Sequence, residues 1–473
     1  MKRRKFLKDS VLSASAFSIV PASVLSKSGR KAPSDQLSIA LIGAGGRGNA
    51  HWNAVKDSDH GNIVALVDVD DNRAADAFKN NPKAKRFRNY KELESIKDEF
   101  DAFMLATPDN THAVIGMAMM DLGKHAYIEK PLAHDIYEVR MLTEKAAEKN
   151  LVTQMGNHGS SGDGIRQICE WIWGGVIGDV TEVFCWTNRP VWPQGKPAPT
   201  QAMPIPDHLD WDLWLGPAKY THYHPDYSHF KWRGWWDFGT GALGDMGCHI
   251  IDPAFKALKL GYPTEVTSSN TTVWVGDFVE ADYSKSCPPS SITQLKFPAR
   301  EGMPEVKMHW HDGGLMPSFP DGIDPNEKIG NWDGGVLFVG SKGMLSAGCY
   351  GANPKLHFPD NNIPEVPEPH LSRVENGTGG HQEQWIKACK DGSETSSPFS
   401  YAGPLSETVL MGNLGIRSYQ MKVLQEGKTP TSWAPYDYPG RKKLLWDGEN
   451  MKVTNFDEAN EFVKREYRDG WTL

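Results

Sequence analysis

Between about residues 34 and 155, apolar residues come in short runs, at 39–42, 63–67, 103–107, 126–128 and 151–155. Each is of strand length and largely apolar, as a strand covered on both faces must be. Stretches at 111–122 and 137–149 carry helical patterns, the first stopping at Gly123. Strands alternating with helices predict a doubly wound parallel sheet. Beyond residue 155 the pattern changes. A helix is predicted at 164–173, ended by Gly174 and Gly175, then strand-like runs at 180–186, 265–275, 291–297, 305–311 and 336–339. Few helices intervene, which predicts an open, mainly antiparallel sheet. Pro- and Gly-rich insertions interrupt it at 190–206 and 312–332, and there is no internal repeat. The expected fold class is α/β. A leader at 1–33 precedes the parallel domain at 34–155, and an α+β domain for substrate binding and oligomerisation occupies 156–473.

The first apolar run enters Gly43-Ala44-Gly45-Gly46-Arg47-Gly48, and Asp68 follows Gly48 by 20 residues at the end of the second run. Strand, G-x-G-x-x-G turn, helix and acid in this order are the dinucleotide-binding fingerprint of a Rossmann domain. Gly43 permits the tight turn, Gly45 lets the backbone approach a pyrophosphate, and Gly48 allows helix to pack on strand. Unpaired N–H groups at the helix start attract the phosphates. Asp68 is placed to accept from a ribose 2′-hydroxyl, which favours NAD over NADP, and Arg73 is placed to grip adenine or a phosphate.

Composition narrows the partners. The 473 residues are 39% hydrophobic and 23% charged, with a net charge of −8, and no basic block recurs after the leader. Nucleic acid is therefore not an expected partner. The six cysteines form no C-x-x-C pair, so they predict free, buried thiols and no zinc site. Arg3-Arg4-Lys5-Phe6-Leu7-Lys8 precedes a Ser/Ala-rich, weakly apolar stretch to residue 25. This predicts twin-arginine export to the periplasm, with no membrane insertion of the mature chain. Seventeen tryptophans crowd toward 171–236. The segment 222–237 holds His222, Tyr223, His224, Tyr227, His229, Trp232, Arg233, Trp235 and Trp236, and Asn188, Arg189 and Trp192 form a second patch. Aromatic faces stack on sugar C–H faces while His and Arg reach hydroxyls. Asn188, Arg189, Trp192, His224, Trp232, Arg233 and Trp236 are thus candidates for binding a carbohydrate or polyol, the alternative being a packed aromatic lid.

Four features in order are the glycine fingerprint, Ala106-Thr107-Pro108 with His112 after it, Glu129-Lys130-Pro131, and Gly244-Asp245-Met246-Gly247-Cys248-His249. Together they resemble the Gfo/Idh/MocA oxidoreductases, which act on sugars, inositols and related polyols. The resemblance implies that Thr107, Pro108, His112, Glu129 and Lys130 join Gly43, Gly45, Gly46, Arg47, Gly48, Asp68 and Arg73 around a nicotinamide cofactor. It implies His249 as general acid/base, with Asp245 as its partner or a substrate ligand. The residues agree. Lys130 ends a predicted parallel strand, where an ammonium can stabilise a developing alkoxide. Asp245 and His249 lie four apart on a predicted helix at 241–258 and so share a face. Asp252 allows an alternative in which Asp245, His249 and Asp252 surround a metal, but no flanking His or Cys pattern supports one. His158 and His381 are weaker candidates, His381 as a capping or surface residue. We expect a homodimer or homotetramer.

Free NAD is scarce outside the cytoplasm, so a tightly held cofactor regenerated within each cycle suits an exported enzyme. Two chemistries that the resemblance implies meet this need. One oxidises a ring hydroxyl of one sugar, C3 foremost, and reduces another sugar with the same bound nucleotide; the other is glycoside hydrolysis through transient C3 oxidation, elimination, addition of water and reduction back. A dinucleotide-binding sensor is the non-enzymatic alternative.

Overall fold

The computed structural model describes residues 35–359 and 362–473. The leader, with its twin arginines, lies outside the described residues. Strands β1 (Leu37–Ile42), β2 (Gly61–Val67), β3 (Lys85–Phe87), β4 (Ala102–Leu105), β5 (His125–Ile128) and β6 (Thr153–Met155) form one sheet in the order β3-β2-β1-β4-β5-β6. Every pairing in it is parallel. This is the predicted doubly wound topology, reversing direction between β1 and β4, where such sheets bind ligands.

Alternation along β1 explains its sequence. Ile39 and Leu41 face one core, with Trp52 and Val55 of helix α1 (Gly48–Asp57). Ala40 and Ile42 face the other, which runs on into the second half of the chain. Helix α2 (Ala75–Asn80) links β2 to β3, while α3 (His112–Asp121) and α4 (Ile136–Glu148) cross over after β4 and β5. Asp135 caps α4 by accepting from the Glu138 N–H at 2.8 Å.

Helix α5 (Asp163–Trp173) leads into the second sheet of nine strands. In chain order they are β7 (Val180–Thr187), β8 (Glu265–Asn270), β9 (Ser291–Phe297), β10 (Val306–His311), β11 (Gly334–Gly340), β12 (Met344–Gly348), β13 (Ala352–His357), β14 (Leu444–Asp447) and β15 (Lys452–Val453). Their spatial order is β13-β12-β11-β7-β10-β9-β8-β14-β15, and only the β7–β10 pair is parallel. The sheet is open and mainly antiparallel, as expected. The run at 265–275 is shorter than expected: β8 ends at Asn270, and Trp274–Gly276 belongs to a separate two-stranded ribbon. The helix expected at 241–258 is two helices, α7 (Gly241–Ile250) and α8 (Asp252–Ala257), with α6 (Trp211–Leu215) before them.

Two late helices bind the halves together. Helix α9 (His381–Asp391) returns to cover the first sheet, burying Trp385 and Ile386 against the core of Ile39 and Leu41. Helix α10 (Phe399–Gln420) runs between the sheets. It pairs its Glu407 with Arg140 of α4, and its Ser406 Oγ accepts from the Leu132 N–H. Its Ile416 carbonyl accepts from Asn270 of β8.

His381 is not the surface residue considered above. It is fully buried, with Nε2 2.8 Å from the Met155 carbonyl and Nδ1 2.6 Å from Ser161 Oγ. Burial pushes its imidazole down to about 3. Unfolded chain therefore takes up a proton below about pH 6.5 that folded chain refuses, and folded stability falls as pH drops through that range. We predict that His381→Asn destabilises the protein less at pH 5 than at pH 7, the difference being about 2 kcal/mol by this linkage. Urea unfolding of both proteins at the two pH values measures it; an equal cost at both would refute the assignment.

Candidate active site

The carboxyl ends of the first sheet open on a cavity of about 510 Å³, walled on its far side by residues from the second half of the chain. The glycine turn forms its floor. Gly43 has a φ of +80°, and a Cβ there would sit 2.7 Å from the Ala106 carbonyl carbon. A Cβ on Gly48 would sit 2.1 Å from the Gly43 oxygen, so only glycine lets α1 start this close to β1. The Gly45 N–H donates to Asp68 Oδ2 at 2.9 Å, and the Asp70 N–H to Asp68 Oδ1 at 3.0 Å. Burial nevertheless pushes the Asp68 carboxyl upward, against those two donors. Arg73 arches over the turn, its guanidinium 2.5 Å from where a Gly46 Cβ would be. A bare backbone cradle with an acid beyond it and an arginine over it fits a dinucleotide pyrophosphate and ribose.

Thr107, Pro108 and His112 line the same cavity. The His112 ring nitrogens lie 3.0 Å from the Pro131 and Thr107 carbonyls, tying the end of β4 to the chain after β5. Glu129 lies under the glycine turn: Arg47 Nε is 2.8 Å and His51 Nε2 3.0 Å from its Oε1. Burial opposes its charge, but these partners hold its carboxyl well below the usual range.

Lys130 points the other way, into the cavity. Its Nζ donates to Asp245 Oδ1 at 2.9 Å and to the Asp245 carbonyl at 2.6 Å. Arg233 Nε donates to the same Oδ1 at 2.9 Å. Burial disfavours the Asp245 carboxylate, yet the two cations hold its pKa well below the ordinary value. One turn further along α7, His249 lines the cavity with Nδ1 buried and without a hydrogen bond among the described residues. Burial, then Lys130 and His158, push its imidazole well below the ordinary value. It is a neutral base beside an ammonium.

The structure brings together Lys130, Asp245, His249, the fingerprint, Arg189, Trp232 and Arg233 around one cavity. It takes Asn188, Trp192, His224 and Trp236 out of the wall. Asn188 accepts from Arg189 behind it. Trp192 donates to Gln194 at 2.8 Å and His224 Nδ1 accepts from the Asp226 N–H at 3.1 Å. Trp236 is buried, and its indole donates to Gln420 of α10. Much of the aromatic segment is a small core of its own, with Trp211, Trp214, Tyr227, Trp235 and Phe238 packed together; His229, Phe230, Trp232 and Arg233 reach the cavity, as does the Trp214 edge of that core. Asp252 is bonded to Asn157 and Tyr401. Among the described residues the ligand atoms that converge as a metal would need belong to His134, Asp135 and Glu138, and Arg465 already pairs with both acids there.

One neighbour of His249 carries no signal in the sequence. Tyr350, from the turn between β12 and β13, lines the cavity, its ring centroid 4.8 Å from that of His249 and 4.7 Å from that of His158. Its φ is +67°, a left-handed backbone that few non-glycine residues adopt. His158, the weaker candidate, also lines the cavity; burial and then Arg47 push it down to about 4.

Residues 37–157 match the model of the Gfo/Idh/MocA oxidoreductase family's NAD-binding Rossmann fold, and residues 171–268 that of the family's C-terminal α/β domain. In these two stretches the chain is similar to the two domains of Gfo/Idh/MocA oxidoreductases. It is 22% identical over 227 residues to glucose-6-phosphate 3-dehydrogenase of Bacillus subtilis, covering 48% of this chain and 55% of that one. It is 28% identical over 181 residues to a glycosyl hydrolase family 109 protein of Shewanella baltica, covering 36% and 39%. The chain thus spans between 39% and 55% of the length of these curated relatives. Among solved structures, levoglucosan dehydrogenase in complex with NADH shares the fold, with a TM-score of 0.53 at 17% identity over 80% of this chain and 98% of that one.

The Lys130–Asp245–Arg233 cluster gives a direct test. Removing one partner of a buried ion pair leaves the others desolvated and uncompensated, at a cost of about 3–5 kcal/mol. We predict that loss for Asp245→Asn in chemical denaturation, and a smaller loss for Asp245→Asn combined with Lys130→Met than the two singles sum to. Strict additivity would show that the cations do not depend on Asp245.

Proposed function

We propose that this protein is an NAD-dependent oxidoreductase that removes hydride from a ring hydroxyl, C3 foremost, of a sugar or glycoside. The observation that carries the reading is that Lys130, Asp245 and His249 converge beside the glycine fingerprint in one cavity. Gly43, Gly45, Gly46 and Asp68 would hold the nucleotide. When bound, the nicotinamide supplies the hydride acceptor. The chain's own residues handle charge and proton. Two of the three Lys130 N–H donors are spent on Asp245, leaving the third for the substrate oxygen. Neutral His249 takes the hydroxyl proton as the C–H bond breaks, and the Lys130 ammonium stabilises the oxygen's developing charge. Asp245 holds Lys130 in place. Arg189, Trp232 and Arg233 line the cavity near this group and are placed to bind sugar hydroxyls and ring faces. The name of the Bacillus relative supports C3, and that of the Shewanella relative keeps hydrolysis through the same transient oxidation as the second reading.

Incubating purified protein with NAD and a panel of glycosides, followed by absorbance and mass spectrometry, separates these readings. A keto-sugar lighter by two hydrogen atoms is expected. Free sugar without net NADH would favour the hydrolase, and neither product would favour a sensor. Lys130→Ala and His249→Ala should each lower turnover at least about a hundredfold while retaining nucleotide. Because His249 is neutral well below its ordinary range, kcat/KM for oxidation should not fall between pH 8 and pH 6. A loss with a midpoint near 6.5 would contradict the base assignment.

We also propose export through the twin-arginine route, which carries folded protein with its nucleotide loaded. The support is the Arg3-Arg4-Lys5-Phe6-Leu7-Lys8 leader. Replacing both arginines with lysine should strand the protein in the cytoplasm on fractionation; unchanged export would point to the general secretion route.

A further inference from the structure

We infer that two segments from outside the nucleotide-binding domain clamp the adenosine end of the cavity, so that bound nucleotide stays through many turnovers. The inference rests on the nucleotide reading proposed above and concerns how long the nucleotide is held. The pyrophosphate cradle and Asp68 set the direction of a dinucleotide, so the adenine lies beyond Asp68. There the cavity wall includes Tyr90, Leu213, Trp214 and Trp471. Tyr90 alone comes from the first domain.

The segment 207–214 is laced to the loop after β2. Leu209 forms an antiparallel bridge with Asp70, the Asp71 N–H donates to the His208 carbonyl at 3.1 Å, and the Asp210 N–H to the Val69 carbonyl at 2.9 Å. His208 Nδ1 and His229 Nε2 lie 3.0 and 3.3 Å from the Asp70 carboxylate. The loop that carries Asp68 is thus held from outside.

The segment 463–471 closes the opposite side. It is tied to α4, where the Arg465 N–H donates to Asp135 at 3.1 Å and the Tyr467 hydroxyl to Glu138 at 2.7 Å. It is tied to α6 by Arg468, which donates to the Gly216 carbonyl and to Asp212, each at 2.6 Å. These ties deliver the Trp471 indole to the cavity, its ring centroid 6.3 Å from Tyr90 and 5.3 Å from the Lys91 ammonium. An aromatic wall tied down from both sides slows departure, because leaving requires those ties to open. Such a clamp suits a nucleotide that is reduced and reoxidised in place.

The test is the release rate of NADH from loaded full-length protein, chased with excess NAD and followed by nicotinamide fluorescence. Wild type should carry nucleotide through gel filtration. Trp471→Ala should release it about tenfold faster or more, the scale of one lost aromatic contact, and Trp471→Phe should restore slow release. Arg468→Gln, which removes the ties to Gly216 and Asp212 together with the guanidinium 5.7 Å from the Trp471 ring, should also speed release and serves if Trp471→Ala does not fold. Wild type that never binds NADH would overturn the nucleotide reading and the clamp with it. Tight binding with unchanged release from both variants would overturn the clamp alone.

Discussion

The largely buried carboxylate of Asp245 is the constraint on which the site depends. It accepts from Lys130 at the end of β5 and from Arg233 in the turn 231–234, so one anion joins the first sheet, helix α7 and the edge of the aromatic segment. Desolvating three charges is costly, and the arrangement holds only because each charge faces its partner at hydrogen-bond distance. The geometry that holds Lys130 also fixes where its remaining donor points.

Strand alternation explains why Glu129 and Lys130, adjacent in sequence, serve different ends. Tyr127 faces the core under α1, and Glu129 extends that side to Arg47 and His51. Ile128 faces the core shared with the second half of the chain, and Lys130 extends that side to α7. The first carboxylate locks the glycine turn to the sheet; the ammonium after it meets the second half of the chain. Around them the cavity keeps His249 and His158 neutral, since burial and nearby cations both oppose imidazolium. A base that starts uncharged next to an ammonium is the state hydroxyl oxidation needs.

The parallel sheet, the fingerprint and the Lys130–Asp245–His249 set were legible in the sequence because each rests on local spacing. A strand needs an apolar run, the turn needs glycine at a left-handed position, and residues four apart on a helix share a face whatever surrounds them. Helix α10 shows where that ends. Pro404 and the glycines at 403, 412 and 415 make Phe399–Gln420 a poor helix by propensity. Those glycines instead admit Thr143, Leu243 and Ser268, whose side-chain atoms lie 2.2, 2.4 and 2.6 Å from where a Cβ would be.

By itself, then, the sequence determined the parallel-sheet half with its fingerprint, the Lys130–Asp245–His249 group and the presence of an aromatic, histidine-rich segment. Tertiary structure alone decided which of those aromatics meet the cavity. Trp192, His224 and Trp236 have the same residue types as Trp232 and its neighbours, but they turn to Gln194, the Asp226 amide and Gln420. It likewise brought in Tyr350, Trp214 and Trp471, whose neighbours in sequence give no hint of a site. Those contacts depend on how two sheets and a long helix pack together. Packing is set by shape and buried charge across hundreds of residues, and it leaves no trace in local periodicity.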